Sequence, residues 1–166
     1  VYLRRDDTRL TVGCRIILGC DGIESLVGRW AGLDTAVTPD ALDTAAQYLL
    51  DDLNDLHQGK MEIHFSSELA PGGYAWVFPK SDYISFGIGG NLNRAKSLKK
   101  NFLRFLDNKK INTEKIKIKG CFIPISNFHH KIYTNRVMLA GDAAGFVDCF
   151  SGEGIRYALA SGKIAA

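Results

Sequence analysis

Val137-Met138-Leu139-Ala140-Gly141-Asp142-Ala143-Ala144-Gly145 runs from four apolar residues straight into glycine, aspartate and small residues. An apolar run that stops at glycine predicts a buried strand ending in a turn, so the strand delivers Asp142 to its carboxyl edge. Gly141 and Gly145 permit close approach of backbone to a ligand. An Asp in that place can accept hydrogen bonds from sugar or ribitol hydroxyls. Farther on, Ser151-Gly152-Glu153-Gly154 opens a helix predicted over Ile155–Ala166, with Ser151 as its N-cap. Glycines at a helix start cost roughly 1 kcal/mol each relative to alanine, and N–H groups aimed at an anion are a compensating use. Taken alone, a turn Asp beside glycine is ordinary loop chemistry.

The same plan appears near the other end. Arg15-Ile16-Ile17-Leu18 reads as a short strand, Gly19-Cys20-Asp21-Gly22 breaks it, and Glu24–Ala31 follows with Leu26, Val27 and Trp30 at helical spacing. In a parallel α/β sheet, ligands bind beyond the carboxyl ends of the strands, and both turns put an Asp there beside glycine. Between them the pattern alternates, as an antiparallel sheet requires: Met61–Phe65, Tyr74–Phe78 and Tyr83–Ile88, then a basic helix over Ala95–Lys109 and a last strand over Lys115–Pro124. The predicted class is α/β (α+β overall), a Rossmann-like domain interrupted by an antiparallel sheet. Its segments are 1–40, 41–125 and 126–166. Gly87-Ile88-Gly89-Gly90-Asn91-Leu92 and Gly152-Glu153-Gly154-Ile155-Arg156-Tyr157 begin like G-x-G-x-x-G but lack the last glycine, so neither is a dinucleotide fingerprint.

Composition narrows the rest. With 166 residues, 46% hydrophobic and 23% charged, the chain is globular, not disordered or fibrous. No stretch approaches the roughly 18–20 uncharged apolar residues of a membrane span. The four cysteines have no C-x-x-C spacing and are expected to be buried small hydrophobes in a reducing compartment; no metal site is expected. The chain begins at Val1 and closes within a helical pattern, which reads as an internal fragment. Net charge is +3, but Arg94 to Lys119 holds ten Lys/Arg against two Asp/Glu, a local +8 that leaves −5 for the remainder. Lysines solvating the outer face of an amphipathic helix would explain this, since Leu98, Phe102, Leu103, Phe105 and Leu106 fall at helical spacing. An anionic surface as partner would explain it as well. Nucleic acid is not expected, because no binding motif accompanies the charge. Tyr74, Trp76 and Phe78 share one face of a strand, which could line an apolar slot or simply a core.

Gly19-Cys20-Asp21-Gly22-Ile23-Glu24-Ser25-Leu26-Val27-Gly28-Arg29-Trp30-Ala31-Gly32-Leu33 resembles the internal DG motif of flavoprotein hydroxylases and reductases. Gly141-Asp142-Ala143-Ala144-Gly145 through Gly152-Glu153-Gly154-Ile155 resembles their GD motif. Pro71-Gly72-Gly73-Tyr74-Ala75-Trp76-Val77-Phe78-Pro79-Lys80 is similar to the signature of the geranylgeranyl reductase family.

The resemblance implies an FAD-dependent enzyme of the para-hydroxybenzoate hydroxylase type of fold, reducing C=C bonds of geranylgeranyl chains on a membrane lipid, a diphosphate or a chlorophyll precursor. NADPH or another electron donor would supply the flavin. Asp142 would contact the ribitol. The loop through Gly145 and the helix start at Gly152, Glu153 and Gly154 would sit by the pyrophosphate and flavin ring, Asp21 and Gly22 would support the pyrophosphate side, and Arg29 and Gly141 would also bind the cofactor. Tyr74, Trp76, Phe78 and Pro79 would bind the prenyl chain. Tyr74 is a candidate proton donor by position; His64, His129 and His130 are candidates by residue type alone. Where the family pattern expects Asn-Pro-Leu after the GD loop, the chain has Asp148-Cys149-Phe150. The N-terminal G-x-G-x-x-G strand is absent, so this stretch alone is expected to hold FAD weakly and to be inactive. A cytoplasmic location with peripheral contact to anionic membrane is expected. A monooxygenase or halogenase on the same scaffold, or a non-catalytic lipid- or anion-binding module, are the alternatives.

Overall fold

The computed structural model describes residues 1–51, 59–114, 116–125 and 131–166. In chain order the strands are β1 (Tyr2–Arg5), β2 (Thr8–Thr11), β3 (Ile17–Gly19), β4 (Leu42–Leu50), β5 (Glu62–His64), β6 (Tyr74–Pro79), β7 (Ile84–Asn91), β8 (Lys119–Pro124) and β9 (Val137–Leu139). The helices are α1 (Leu26–Trp30), α2 (Leu98–Asn108) and α3 (Ile155–Ala165), with short 3₁₀ turns at Pro39–Ala41 and Gly141–Ala144. The chain divides into two compact units, one of Val1–Val37 with Pro124–Ala166 and one of Thr38–Ile123.

In the first unit β3 and β9 pair in parallel, with Ile17 opposite Val137 and Gly19 opposite Leu139. Parallel pairing sends both strand ends the same way, so the turns that follow emerge on one edge. The core here is small: Leu33, Leu139, Ala143 and Ala144. Gly19 and Gly28 let it close, because a Cβ on Gly19 would lie 2.6 Å from a Leu139 methyl and one on Gly28 2.6 Å from Thr35 Cγ2. The β1–β2 hairpin is exposed along its whole length, and Asp6 turns it with φ 52°.

The second unit is a five-stranded sheet in the order β5-β6-β7-β4-β8, in which β5–β6, β6–β7 and β7–β4 are antiparallel. Helix α2 follows the predicted amphipathic pattern and buries Leu98, Phe102, Phe105 and Leu106. They pack on Ala46, Ala75, Val77, Ile84, Phe86 and Ile88, each large side chain contributing about 1.5–3 kcal/mol of burial.

Several expectations are corrected. All four cysteines are exposed, not buried, because Cys14, Cys20 and Cys149 lie in connecting segments and Cys121 on edge strand β8. Ser151 is not the N-cap of α3; that place is Gly154, with no side-chain cap. The last strand begins at Lys119, not Lys115, and Lys115 lies outside the described residues. Strand β7 does not stop at Ile88 but continues through the glycines to Asn91. No helix among the described residues is long and apolar enough to cross a membrane.

Candidate functional site

Two surfaces hold the candidate site residues, and each lies within one unit. In the first unit the turns after β3 and β9 are side by side: Ala140 N–H donates to Gly19 O at 3.0 Å. Asp21 thus begins its turn next to the strand end that leads to Asp142. Asp21 is committed locally. Its carboxylate accepts from Ser25 Oγ at 2.5 Å and from Val27 N–H at 3.0 Å. Ser25 Oγ in turn accepts from Gly28 N–H at 3.0 Å and caps α1. Desolvation pushes the Asp21 carboxyl up, but the Ser25 and Val27 hydrogen bonds outweigh it, and the group lies below the ordinary carboxyl range. Gly22 holds φ +79°, a left-handed backbone that favours glycine. Arg29 is exposed on α1.

Asp142 is the opposite case. It is exposed in the first 3₁₀ turn after β9, and its carboxylate makes no hydrogen bond among the described residues. The side chain lies against the start of α3, where a Cβ on Gly154 would come 2.9 Å from Asp142 Oδ1. Gly141 donates its N–H to Ser161 Oγ at 2.9 Å and passes under α3, its absent Cβ 3.1 Å from that of Ala158. Gly145 closes the turn with φ +72°. Asp148 organises the next loop, accepting from Phe150 N–H at 3.1 Å and from both Ser151 N–H and Ser151 Oγ at 2.7 Å. The hydrogen bonds from Ser151 hold its carboxyl below the usual range. Gly152 takes φ +70° in this loop, and Glu153 is paired with Arg156 at 3.5 Å.

In the second unit the sheet has two unlike faces. Ala75 and Val77 point to α2 and are fully buried; Tyr74, Trp76 and Phe78 point the other way and are half-buried. The aromatic face is therefore not the core. Rings follow one another along it, Phe65 to Tyr74 at 5.8 Å, Tyr74 to Trp76 at 5.9 Å and Trp76 to Phe78 at 6.0 Å. Trp76 lies flat over Gly87, where a Cβ would be 2.0 Å from the indole. Its Nε1–H donates to Ser85 Oγ at 3.2 Å, and Gln47 Nε2 donates to the same oxygen at 2.8 Å. Pro79 shares the strand parity of Ala75 and Val77, opposite Ile84, so it falls away from this face. His64 does too: it sits opposite Ala75, bonded to Glu62 at 2.8 Å and edge-on to Phe105. His129 and His130 lie outside the described residues.

Residues 41–123, half of the chain, match the family model of the geranylgeranyl reductase catalytic domain. The chain belongs to the geranylgeranyl reductase family. This family member is 40% identical over 160 residues to the digeranylgeranylglycerophospholipid reductase of Methanosarcina acetivorans, an alignment covering 93% of this chain and 39% of that relative. The chain thus spans about 39% of the length of the Methanosarcina relatives it matches. A solved geranylgeranyl bacteriochlorophyll reductase-like protein of Thermoplasma acidophilum superposes with a TM-score of 0.87 at 30% identity, over 99% of this chain and 43% of that one. The flavin-dependent halogenase CmlS shares the fold, with a TM-score of 0.64 at 17% identity over 95% of this chain and 30% of that one.

One group on the aromatic face of this geranylgeranyl reductase family member escapes motif reading. Asp43, on β4, has a buried Oδ1 with no hydrogen-bond partner among the described residues. Burial pushes its carboxyl up, and burial followed by the Asp43 charge pushes the Tyr74 phenol up. An aspartate at an outward position of a strand was the available signal, but β4 itself was not legible as a strand.

Proposed function

We propose that this chain supplies the two cofactor-binding turns and the substrate sheet of an FAD-dependent enzyme that reduces C=C bonds in geranylgeranyl chains. The substrate would be a membrane lipid or a prenyl diphosphate, with NADPH or another donor feeding the flavin. The observation that carries this reading is the juxtaposition of Asp21 and Asp142 beyond the carboxyl ends of adjacent parallel strands, where ligands bind in open α/β sheets. The name of the Methanosarcina relatives favours a glycerophospholipid carrier.

The donor set fits the cofactor. Asp142 offers an uncommitted, exposed carboxylate to ribitol hydroxyls, and the missing side chain of Gly154 leaves the first N–H groups of α3 approachable. That helix end would favour negative charge on a bound flavin by about 0.3–1 kcal/mol. Asp21 would act by holding the α1 turn in shape, so that Gly22 and its neighbours can present backbone to the pyrophosphate. When bound, reduced FAD would supply the hydride for the alkene. The protein's part is to hold the double bond still in a dry slot, and Tyr74, Trp76 and Phe78 provide an apolar wall for it.

In the full-length protein, Asp142→Ala is expected to lower bound flavin at least about tenfold while leaving the apoprotein's unfolding midpoint unchanged, since the side chain makes no hydrogen bond among the described residues. Unchanged flavin content would overturn the reading. Without oxygen, the reduced protein should saturate a digeranylgeranyl lipid; a product formed only with oxygen would assign a monooxygenase or halogenase instead. For the exposed lysines of the basic segment we propose peripheral contact with anionic membrane. Lys96, Lys99 and Lys100 changed together to Gln should weaken binding to phosphatidylserine vesicles at least about tenfold, at roughly 1 kcal/mol per lysine, and equal binding would refute it.

A further inference from the structure

Saturating an alkene takes a proton as well as a hydride, and the aromatic face holds few groups able to give one. On β4 it presents Asp43, Ala45, Gln47 and Leu49; the cross-strand partners on β7 are Asn91, Gly89, Gly87 and Ser85, and on β6 Gly89, Gly87 and Ser85 face Tyr74, Trp76 and Phe78. Gln47 and Trp76 both donate to Ser85 Oγ, a cluster that fixes the indole. Asn91 carries no acidic proton. The Tyr74 phenol is the other proton-bearing group here, and burial keeps the proton on it as on a carboxyl. Among β4, β5, β6 and β7, that leaves one carboxyl on this face, Asp43.

Its setting suits the task. A carboxylate oxygen sealed from water with no donor is a costly arrangement for a charge and a far cheaper one for a neutral carboxyl. Such uncompensated groups concentrate where a protonation state is put to use. The direction of its titration agrees, burial alone holding the proton on to higher pH. Of the groups facing it across β7, Tyr74 is the one that titrates, and the β7 residues between them carry no charge; the strand on its other side, β8, carries the titratable Lys119 and Cys121.

We propose that Asp43 is the acid that protonates the alkene carbon not receiving hydride. This rests on the reading of the chain as part of a flavin-dependent prenyl reductase. The Asp43 O–H bond breaks, and a C–H bond forms from the π pair of the alkene. The other carbon receives hydride from reduced flavin, which gives up two electrons. The product is the saturated CH–CH unit, and the Asp43 carboxylate regains its proton from water. Tyr74, beside it, is assigned to the wall, so Tyr74→Phe should leave the rate of flavin reoxidation within about threefold of wild type.

The test uses the full-length, flavin-loaded protein, photoreduced without oxygen and mixed with extracted digeranylgeranylglycerophospholipid in detergent. Asp43→Asn should slow reoxidation of the flavin by the lipid about 10²–10⁴-fold, with flavin content and lipid affinity within twofold of wild type. Asp43→Glu, which keeps the acid, should recover part of the rate. A second measurement needs no turnover: with ¹³C-carboxyl aspartate, one resonance should titrate above the ordinary value of 3.8 and vanish in Asp43→Asn. Equal rates in wild type and Asp43→Asn, or no such resonance in the wild type, would overturn the assignment. Should Asp43→Asn fail to fold, the Glu variant and the wild-type titration decide. A wild-type protein whose reduced flavin is never reoxidised by the lipid would instead overturn the functional reading, and this step with it.

Discussion

The aromatic sheet and the glycine-bearing turns both offer a surface to a ligand, and they are built from opposite materials. The sheet presents large side chains held by a packed layer behind them, Phe86, Phe102 and Leu106 being almost wholly buried. The turns present backbone, shaped by positive φ at Gly22, Gly141, Gly145 and Gly152 and backed by four small or medium core residues. Helix α3 buries none of its residues, and Ile155, Leu159 and Ile164 are exposed. A surface made of side chains derives its precision from packing density; one made of turns derives it from the few backbone conformations that its residues allow.

That contrast predicts unequal sensitivity to loss of volume. Phe102→Ala should cost about 3–5 kcal/mol and abolish hydrogen-exchange protection across the sheet peptides of the full-length protein. Leu139→Ala, in the small cluster, should cost closer to 2 kcal/mol, because a thin layer of alanines and turns can settle into the gap. Equal losses would show that the two cores are not different in kind. Next in size is Gly87→Val. The added Cβ would lie 2.0 Å from the Trp76 ring, so the indole must leave its seat over β7, at about 1–3 kcal/mol. Tryptophan emission should shift to the red as the Ser85 hydrogen bond breaks, while Gly22→Ala, with open space around it, should leave emission unchanged and act through backbone strain alone.

How legible these surfaces are in sequence follows from the same difference. Strands β6 and β9 and helix α2 declare themselves by their apolar pattern, whereas β3, expected over Arg15–Leu18 with Gly19 as its stop, forms over Ile17–Gly19. Strand β4 does not: Ala45 and Ala46 are both buried in Leu42–Leu50, so the alternation that marks a half-buried strand is blurred. With β4 hidden, Asp43 could not be placed on any face. The β1–β2 hairpin buries nothing and therefore writes no pattern. The glycines of β7 read as the end of a strand, yet they lie within it, Gly87 and Gly90 spared a side chain because Trp76 and the Pro71 carbonyl occupy that space. Asp142 is legible from its motif as a candidate, whereas the web joining Asp21 to Ser25 depends on the fold of the α1 turn and has no sequence signature.

The smallest effect concerns that web, and it separates backbone shape from ligand contact. Ser25 is buried, caps α1, and its carbonyl accepts from Thr35 Oγ1 at 2.9 Å, so Ser25→Ala should cost about 0.5–2 kcal/mol. Asp21→Asn should cost less at neutral pH, and its cost should depend on pH in one direction. The folded carboxyl lies below the ordinary value of 3.8, which means that the folded state binds the proton less readily than the unfolded chain. Its contribution is therefore complete above the ordinary value and disappears as pH falls through the lower folded one. Hydrogen exchange of peptides covering residues 21–35 should show wild type and Asp21→Asn converging below pH 3.8 and separating above it. If instead the variants differ equally at every pH, the carboxylate charge is not what holds the turn, and the α1 start owes its shape to Ser25 alone.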